Sequence, residues 1–290
     1  MNAPVAALLA DGRLHLQHGP IDLLIAAEAP DRAFVLRAYR AAAERFAGLL
    51  AELVAELPML RARTGDARPP VHGPVAQRMA AAVWPHRDVF ITPMAAVAGS
   101  VADEVLATMM AVAPLRRAYV NNGGDIALHL APGQSYRIGV VGDLAAAAID
   151  AAVTLDAEHG CGGIATSGWR GRSLCLGIAD AVTVLAGNAA MADAATKPIA
   201  MAINADHPAI RRAPARSVRD DSDLGGLPAV VNVGPLPAEL IATALARGTA
   251  AARTLQARGL IHSAYLRLKD ECRIIPPVCA DTTLPQKAVA

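Results

Sequence analysis

Polar and apolar positions alternate from Arg13 to Gln17, and Ile21 to Ala27 is a short apolar run. These patterns predict two strands joined by a Gly19-Pro20 turn. After Pro30-Asp31 the period changes. Tyr39, Ala42, Phe46, Leu50, Leu53 and Leu57 recur at three- and four-residue steps, which predicts one amphipathic helix ended by Pro58. A proline- and arginine-rich connector follows from Arg61 to Pro74, then a short helix over Val75 to Trp84. Thr92 as N-cap, with Pro93 at the first helical position, opens a further helix to Ala113.

The middle of the chain reads as strands: Arg117 to Asn121, Asp125 to Leu130, Tyr136 to Val141, Gly163 to Thr166, and Ser173 to Leu185. Asn188 caps a helix beginning at Ala189, in which Pro198 predicts a break or kink. Residues 205–228 are polar and aperiodic, the pattern of a loop or lid. Leu236 to Arg258 is a clear amphipathic helix ended by Gly259, and Leu260 to Leu268 resembles a closing strand. Residues 280–290 read as a flexible tail. The length fits one large domain, 1–290, or two intertwined halves.

Composition narrows the function classes. Hydrophobic residues make up 54% and charged residues 18%, so the chain folds rather than remaining disordered. The net charge is +1 with the two signs interspersed, which argues against nucleic acid as partner. The richest basic stretch, Arg211, Arg212, Arg216 and Arg219, runs straight into Asp220, Asp221 and Asp223. Cys161, Cys175, Cys272 and Cys279 show no zinc spacing and read as reduced thiols. Met1 to Leu9 lacks the basic n-region of a signal peptide, and the run Leu144 to Val153 is too short to span a bilayer. A cytoplasmic protein with no membrane partner is expected, with a homodimer as the default assembly.

Three short stretches carry candidate chemistry. In Asn121-Asn122-Gly123-Gly124-Asp125 the glycines permit positive φ, and successive N–H groups suit an anion; an ordinary hairpin has the same signature. Thr166-Ser167-Gly168, with Trp169, Arg170 and Arg172 beyond it, is either a phosphate-binding turn or a plain polar one. In Ala192-Asp193-Ala194-Ala195-Thr196 the acid and the hydroxyl are three apart, which puts both on one helical face. That pair is a foothold for Mg²⁺, which takes waters and substrate phosphate oxygens to complete its shell; a solvent-facing acid near a helix start is the alternative. Lys197 beside them either contacts a phosphate or lies on the surface.

Order and spacing of these stretches resemble the ApbE-like superfamily, whose best-known members are Mg²⁺-dependent FAD:protein FMN transferases. Its GGD turn resembles Gly123-Gly124-Asp125, its TSG turn Thr166-Ser167-Gly168, and its ADAxAT pattern Ala192 to Thr196. Val97 to Asp103 resembles the family's helix bearing a glycine and then an aspartate. The resemblance covers roughly residues 90 to 205. It implies an ApbE-like, T-fold-like α+β fold of antiparallel or mixed sheets packed with helices, in two intertwined halves. It also implies Mg²⁺ contacts at Asp193 and Thr196. Asn122, Gly123, Gly124, Asp125, Thr166, Ser167 and Gly168 would line a pocket for FAD or FMN, with Asp125 and Arg170 as catalytic candidates. The family's His-x-x-Asp-Pro segment is missing, Arg172 to Gly177 standing in its place, and Ala98 replaces the family's lysine. Three readings follow for this small-molecule site: flavin binding with FMN transfer or pyrophosphate cleavage; a catabolic hydrolase or isomerase without flavin; a non-catalytic flavin-binding or assembly protein.

Overall fold

A computed structural model describes residues 3–140 and 151–277. In chain order the strands and helices are β1 (Val5–Leu8), β2 (Leu14–His18), β3 (Ile21–Glu28), α1 (Arg32–Ala55), α2 (Leu57–Leu60), α3 (Pro74–Val83), α4 (Val97–Val112), β4 (Arg117–Asn122), β5 (Asp125–Leu130) and β6 (Ser135–Val140). They continue with β7 (Ala151–Asp156), β8 (Gly163–Ser167), β9 (Ala181–Ala186), α5 (Ala189–Ala202), β10 (Ile210–Pro214), α6 (Ala215–Val218), β11 (Pro228–Val233), α7 (Ala238–Ala257), β12 (Ser263–Leu268) and β13 (Glu271–Ile275). The class is α+β with antiparallel sheets. Two compact units are each assembled from separate stretches of chain: Met1–Tyr136, Leu155–Ala165 and Ala186–Ala194 form the first; Arg137–Thr154, Thr166–Leu185 and Ala195–Ala290 form the second.

In the first unit the sheet order is β1-β2-β3-β4-β5-β8, antiparallel at every step. Alternation puts Leu14, Leu16, Ile21, Leu23, Ile25, Ala118 and Val120 on the buried face. Against it lies α1, whose N-terminus is capped by the Asp31 carboxylate accepting from the Ala33 N–H at 2.8 Å. Its buried stripe, Ala38, Tyr39, Ala42, Phe46, Leu49, Leu50 and Leu53, is the periodicity visible in the sequence. Helix α4 packs on α1, β4 and β5. Pro93–Val112 is long and apolar enough to cross a membrane by length and composition, yet 56% of its apolar window is buried in the protein. The α-helix starts at Val97 rather than after Thr92, because Pro93–Ala96 forms a 3-10 turn first.

In the second unit β9, β12 and β13 form an antiparallel sheet covered by α7. All six residues of β9 are buried. Gly248 of α7 sits against Ile203, where a Cβ would strike the isoleucine side chain. Separate ladders join β10 to β11 and β6 to β7.

Several expectations need correction. Ser173 to Asp180 is not strand: Ile178 and Ala179 are buried in an irregular segment, and β9 begins only at Ala181. Apolar residues buried without a ladder look like strand to a periodicity argument. Residues 205–228 contain β10 and the helical turn α6. α5 runs as one helix through Pro198 to Ala202, so the chain does not break there, and Ile199 and Ala200 beyond the proline are buried. Residues 144–150 of the alanine-rich run, Cys279 and the 280–290 tail lie outside the described residues.

Phe46 is the largest fully buried side chain of the first unit. Phe46→Ala is expected to destabilise by about 3–5 kcal/mol, read from urea unfolding monitored by circular dichroism.

Candidate functional site

The first-unit part of the site is built where two helix starts meet. A Cβ on Gly99, in the first turn of α4, would fall on the Ala189 carbonyl oxygen. Only glycine lets α4 approach the start of α5 this closely. Gly162 and Gly163, at the entry to β8, play the same part, meeting Gly187 and Asn188–Ala189. The first-turn N–H groups of a helix have no intrahelical acceptor, so buried helix starts need partners from elsewhere. Asp103, one turn further along α4, supplies them: its carboxylate accepts from the N–H groups of Ala189 at 3.0 Å and Ala190 at 2.9 Å. Asn188 Oδ1 accepts from the Met191 N–H at 2.8 Å, the local cap expected from the sequence.

Asp193 is buried on α5, and its Oδ2 accepts from the Gly99 N–H at 3.1 Å. The carbonyl of that same peptide, on Ala98, accepts from Asn122 Nδ2 at 3.1 Å. One peptide unit of α4 is thus held from both sides, by the end of β4 and by the acid of α5. Asn122 and Asp193, seventy-one positions apart in the sequence, are brought together through it. Beside them the Ser100 hydroxyl is buried with no hydrogen-bond partner.

Gly123 and Gly124 form a two-residue hairpin, with Asn122 opposite Asp125 and φ of +64° and +110°. The Gly124 N–H is taken by Asn121 Oδ1 at 2.8 Å, so that donor of the envisaged cradle is already used. Asp125 is half-exposed at the hairpin.

In the second unit, Gly168 is pressed against the Asp180 carbonyl, where a Cβ would collide. Asp180 organises this turn: Oδ1 accepts from Trp169 Nε1 at 2.9 Å and Oδ2 from the Lys269 N–H at 2.5 Å. Thr166 Oγ1 bonds Thr183 Oγ1 at 2.9 Å, and Lys197 Nζ donates to Ser167 Oγ at 3.0 Å. Arg170 stacks over Trp169 at 5.0 Å and lies 3.7 Å from Asp180 Oδ1, so its charge is partly matched. Thr196 is fully buried. The unit boundary falls within α5, after Asp193-Ala194.

Sequence reasoning did not identify the roles of Asp103 and Asp180. Asp103 carried a signal only as the acid four residues after Gly99, and nothing local marks its partners at Ala189 and Ala190. The His159–Cys161 stretch is structural: His159 Nδ1 lies 2.6 Å from Asp156 Oδ1, and Gly160 turns at φ +60°. Burial pushes the Cys161 thiol up to about 11, so it stays protonated at neutral pH. Among the described residues no group of three or more His, Cys, Asp and Glu side chains is placed to hold a metal.

A family model described as AbpE bacteria matches residues 6–274. A UPF0280 protein of Methanosphaerula palustris is 39% identical over 127 residues, which cover 43% of this chain and 51% of that protein. The match therefore spans about half the length of that curated relative. The crystal structure of the apbe protein from Thermotoga maritima aligns with 13% identity and a TM-score of 0.41, over 95% of this chain and 96% of that one.

Burial raises the Asp103 carboxyl from 3.8 to about 6, against the two N–H donors that pull it down. The folded protein therefore keeps a proton that the unfolded chain has lost between about pH 4 and 6. That stabilisation is present at the low end and disappears as pH rises through 6. Between pH 4.5 and 7 the unfolding free energy of the wild type is expected to fall by about 2 kcal/mol more than that of Asp103→Asn. Paired urea titrations at the two pH values measure the difference.

Proposed function

Given that this chain belongs to the AbpE bacteria family, we propose that it is an ApbE-like enzyme that binds FAD and cleaves or transfers across its pyrophosphate with Mg²⁺. The observation that carries the reading is the buried acid of α5, Asp193, aimed by the Gly99 N–H and one turn from the buried Thr196 hydroxyl.

The donor set fits a hard cation. A carboxylate and a hydroxyl on one helical face are oxygen donors, and the described residues offer no nitrogen- or sulfur-rich cluster for a softer metal. So few protein donors suit Mg²⁺, which keeps waters and accepts substrate oxygens. When bound, the ion neutralises charge on the phosphate oxygens and on the leaving group. Asp193 and Thr196 would hold it. Gly99 and Asp103 fix where Asp193 points, the first through its own N–H and the second by anchoring the start of α5. Ser167 and Thr166 offer hydroxyls to phosphate oxygens, Arg170 a partly compensated positive charge, and Asp125 a carboxylate to orient a nucleophile.

The segment Arg172 to Gly177 favours a second reading, a hydrolase or isomerase without flavin, because it replaces the His-x-x-Asp-Pro segment of the transferases. Flavin titration followed by tryptophan fluorescence separates the two, since only the first requires saturable flavin binding.

Incubation of the pure protein with FAD and Mg²⁺ is expected to yield FMN and AMP, resolved by chromatography. Asp193→Ala should lower the rate by more than the roughly 10- to 100-fold typical of residues outside the metal's own shell. Absence of turnover with any acceptor, or an unchanged rate in the variant, rejects the reading.

A further inference from the structure

Lys197 is half-buried, and its ammonium donates to the Ser167 hydroxyl. Among the described residues no carboxylate pairs with it. Nearby, Arg212 is also half-buried, and its guanidinium donates only to neutral acceptors: the carbonyls of Leu176 at 3.0 Å and Ala205 at 3.2 Å, and Asn204 Oδ1 at 2.6 Å. Both cations lie close enough to the buried Cys175 to favour its thiolate, yet burial outweighs them and raises that thiol. The cysteine therefore stays neutral and supplies no counter-charge. Two half-buried positive charges of the second unit thus have no carboxylate partner among the described residues. Neutral acceptors return only part of the hydration that half-buried cations give up, so an anionic partner would add stability.

We propose that Lys197 and Ser167 form a phosphate-binding subsite of the second unit, with Arg212 as a further positive charge of the same unit. The missing anion then comes from the ligand. Lys197 presents a compact ammonium with donors beyond the one given to Ser167, and the serine hydroxyl donates beside it. Arg212 is committed to three carbonyl-type acceptors, so it contributes field rather than a bidentate grip. A dianionic phosphate matches two cations better than a carboxylate does, and Arg170 is a poorer candidate because Asp180 already faces it. The subsite deepens the reading above, which already gives Ser167 to phosphate oxygens, by adding Lys197, but it requires neither flavin nor a metal ion.

Calorimetric titration with inorganic phosphate, free of flavin and Mg²⁺, tests it, with acetate as comparator and AMP to separate free from nucleotide-borne phosphate. Saturable phosphate binding, weakened by added sodium chloride, is expected in the wild type. Lys197→Met should weaken it roughly 10- to 100-fold, the loss of one charge-assisted contact. Lys197→Arg should retain it within a few-fold, which guards against a variant that merely misfolds. Without ligand, Lys197→Met should unfold at a temperature equal to or above that of the wild type. Equal phosphate affinity in wild type and Lys197→Met overturns the proposal, as does absence of saturable binding in the wild type. Phosphate binding without FAD turnover would keep the subsite and reject only the flavin reading; turnover with unaltered phosphate affinity in Lys197→Met would do the reverse.

Discussion

The Ala98–Gly99 peptide is the constraint on which the first unit's part of the site depends. Its carbonyl is claimed by Asn122 and its N–H by Asp193, so the hairpin end of β4 and the acid of α5 are registered to one rigid plane of atoms. That grip exists only because position 99 has no side chain to meet the Ala189 carbonyl. Asp103 completes the joint by answering two N–H groups that a buried helix start would otherwise leave unpaired. A buried carboxylate is a costly way to cap a helix, and its raised pKa expresses that cost.

The second unit solves a different problem. Its turn after β8 is tied down by Asp180, which satisfies an indole and a backbone N–H and leans toward Arg170. Lys197 and Arg212 receive no such treatment, and their contacts are with neutral oxygens. Asp180 partly matches the charge of Arg170, whereas no carboxylate among the described residues pairs with Lys197, and the proposed phosphate subsite rests on that contrast.

Elements with one dry and one wet face were legible in the sequence. α1, α7, β2, β3 and β4 show their buried stripes directly, and Asn188 announced the start of α5. β1 left no such signal, since all four of its residues are exposed at a sheet edge. β10 was hidden because its arginines carry no apolar alternation and it pairs only with β11. Ser173 to Asp180 misled in the opposite direction, being buried without being strand. Among the candidate residues, helical spacing singled out Asp193 and Thr196, and composition the Gly123-Gly124 turn, which does form a two-residue hairpin. Asp103 was not, because its partners lie 86 and 87 positions away and a main-chain donor has no sequence signature. Lys197 was visible as a residue but not as an uncompensated charge, which depends on what fails to surround it.

Hydrogen exchange of individual amides tests the central joint most directly. First-turn helix amides ordinarily exchange fast, having no acceptor within the helix. The grip of Asp193 and Asp103 requires the amides of Gly99, Ala189 and Ala190 to exchange as slowly as those in the core of α1. Fast exchange at these three positions, with α1 protected, would contradict it.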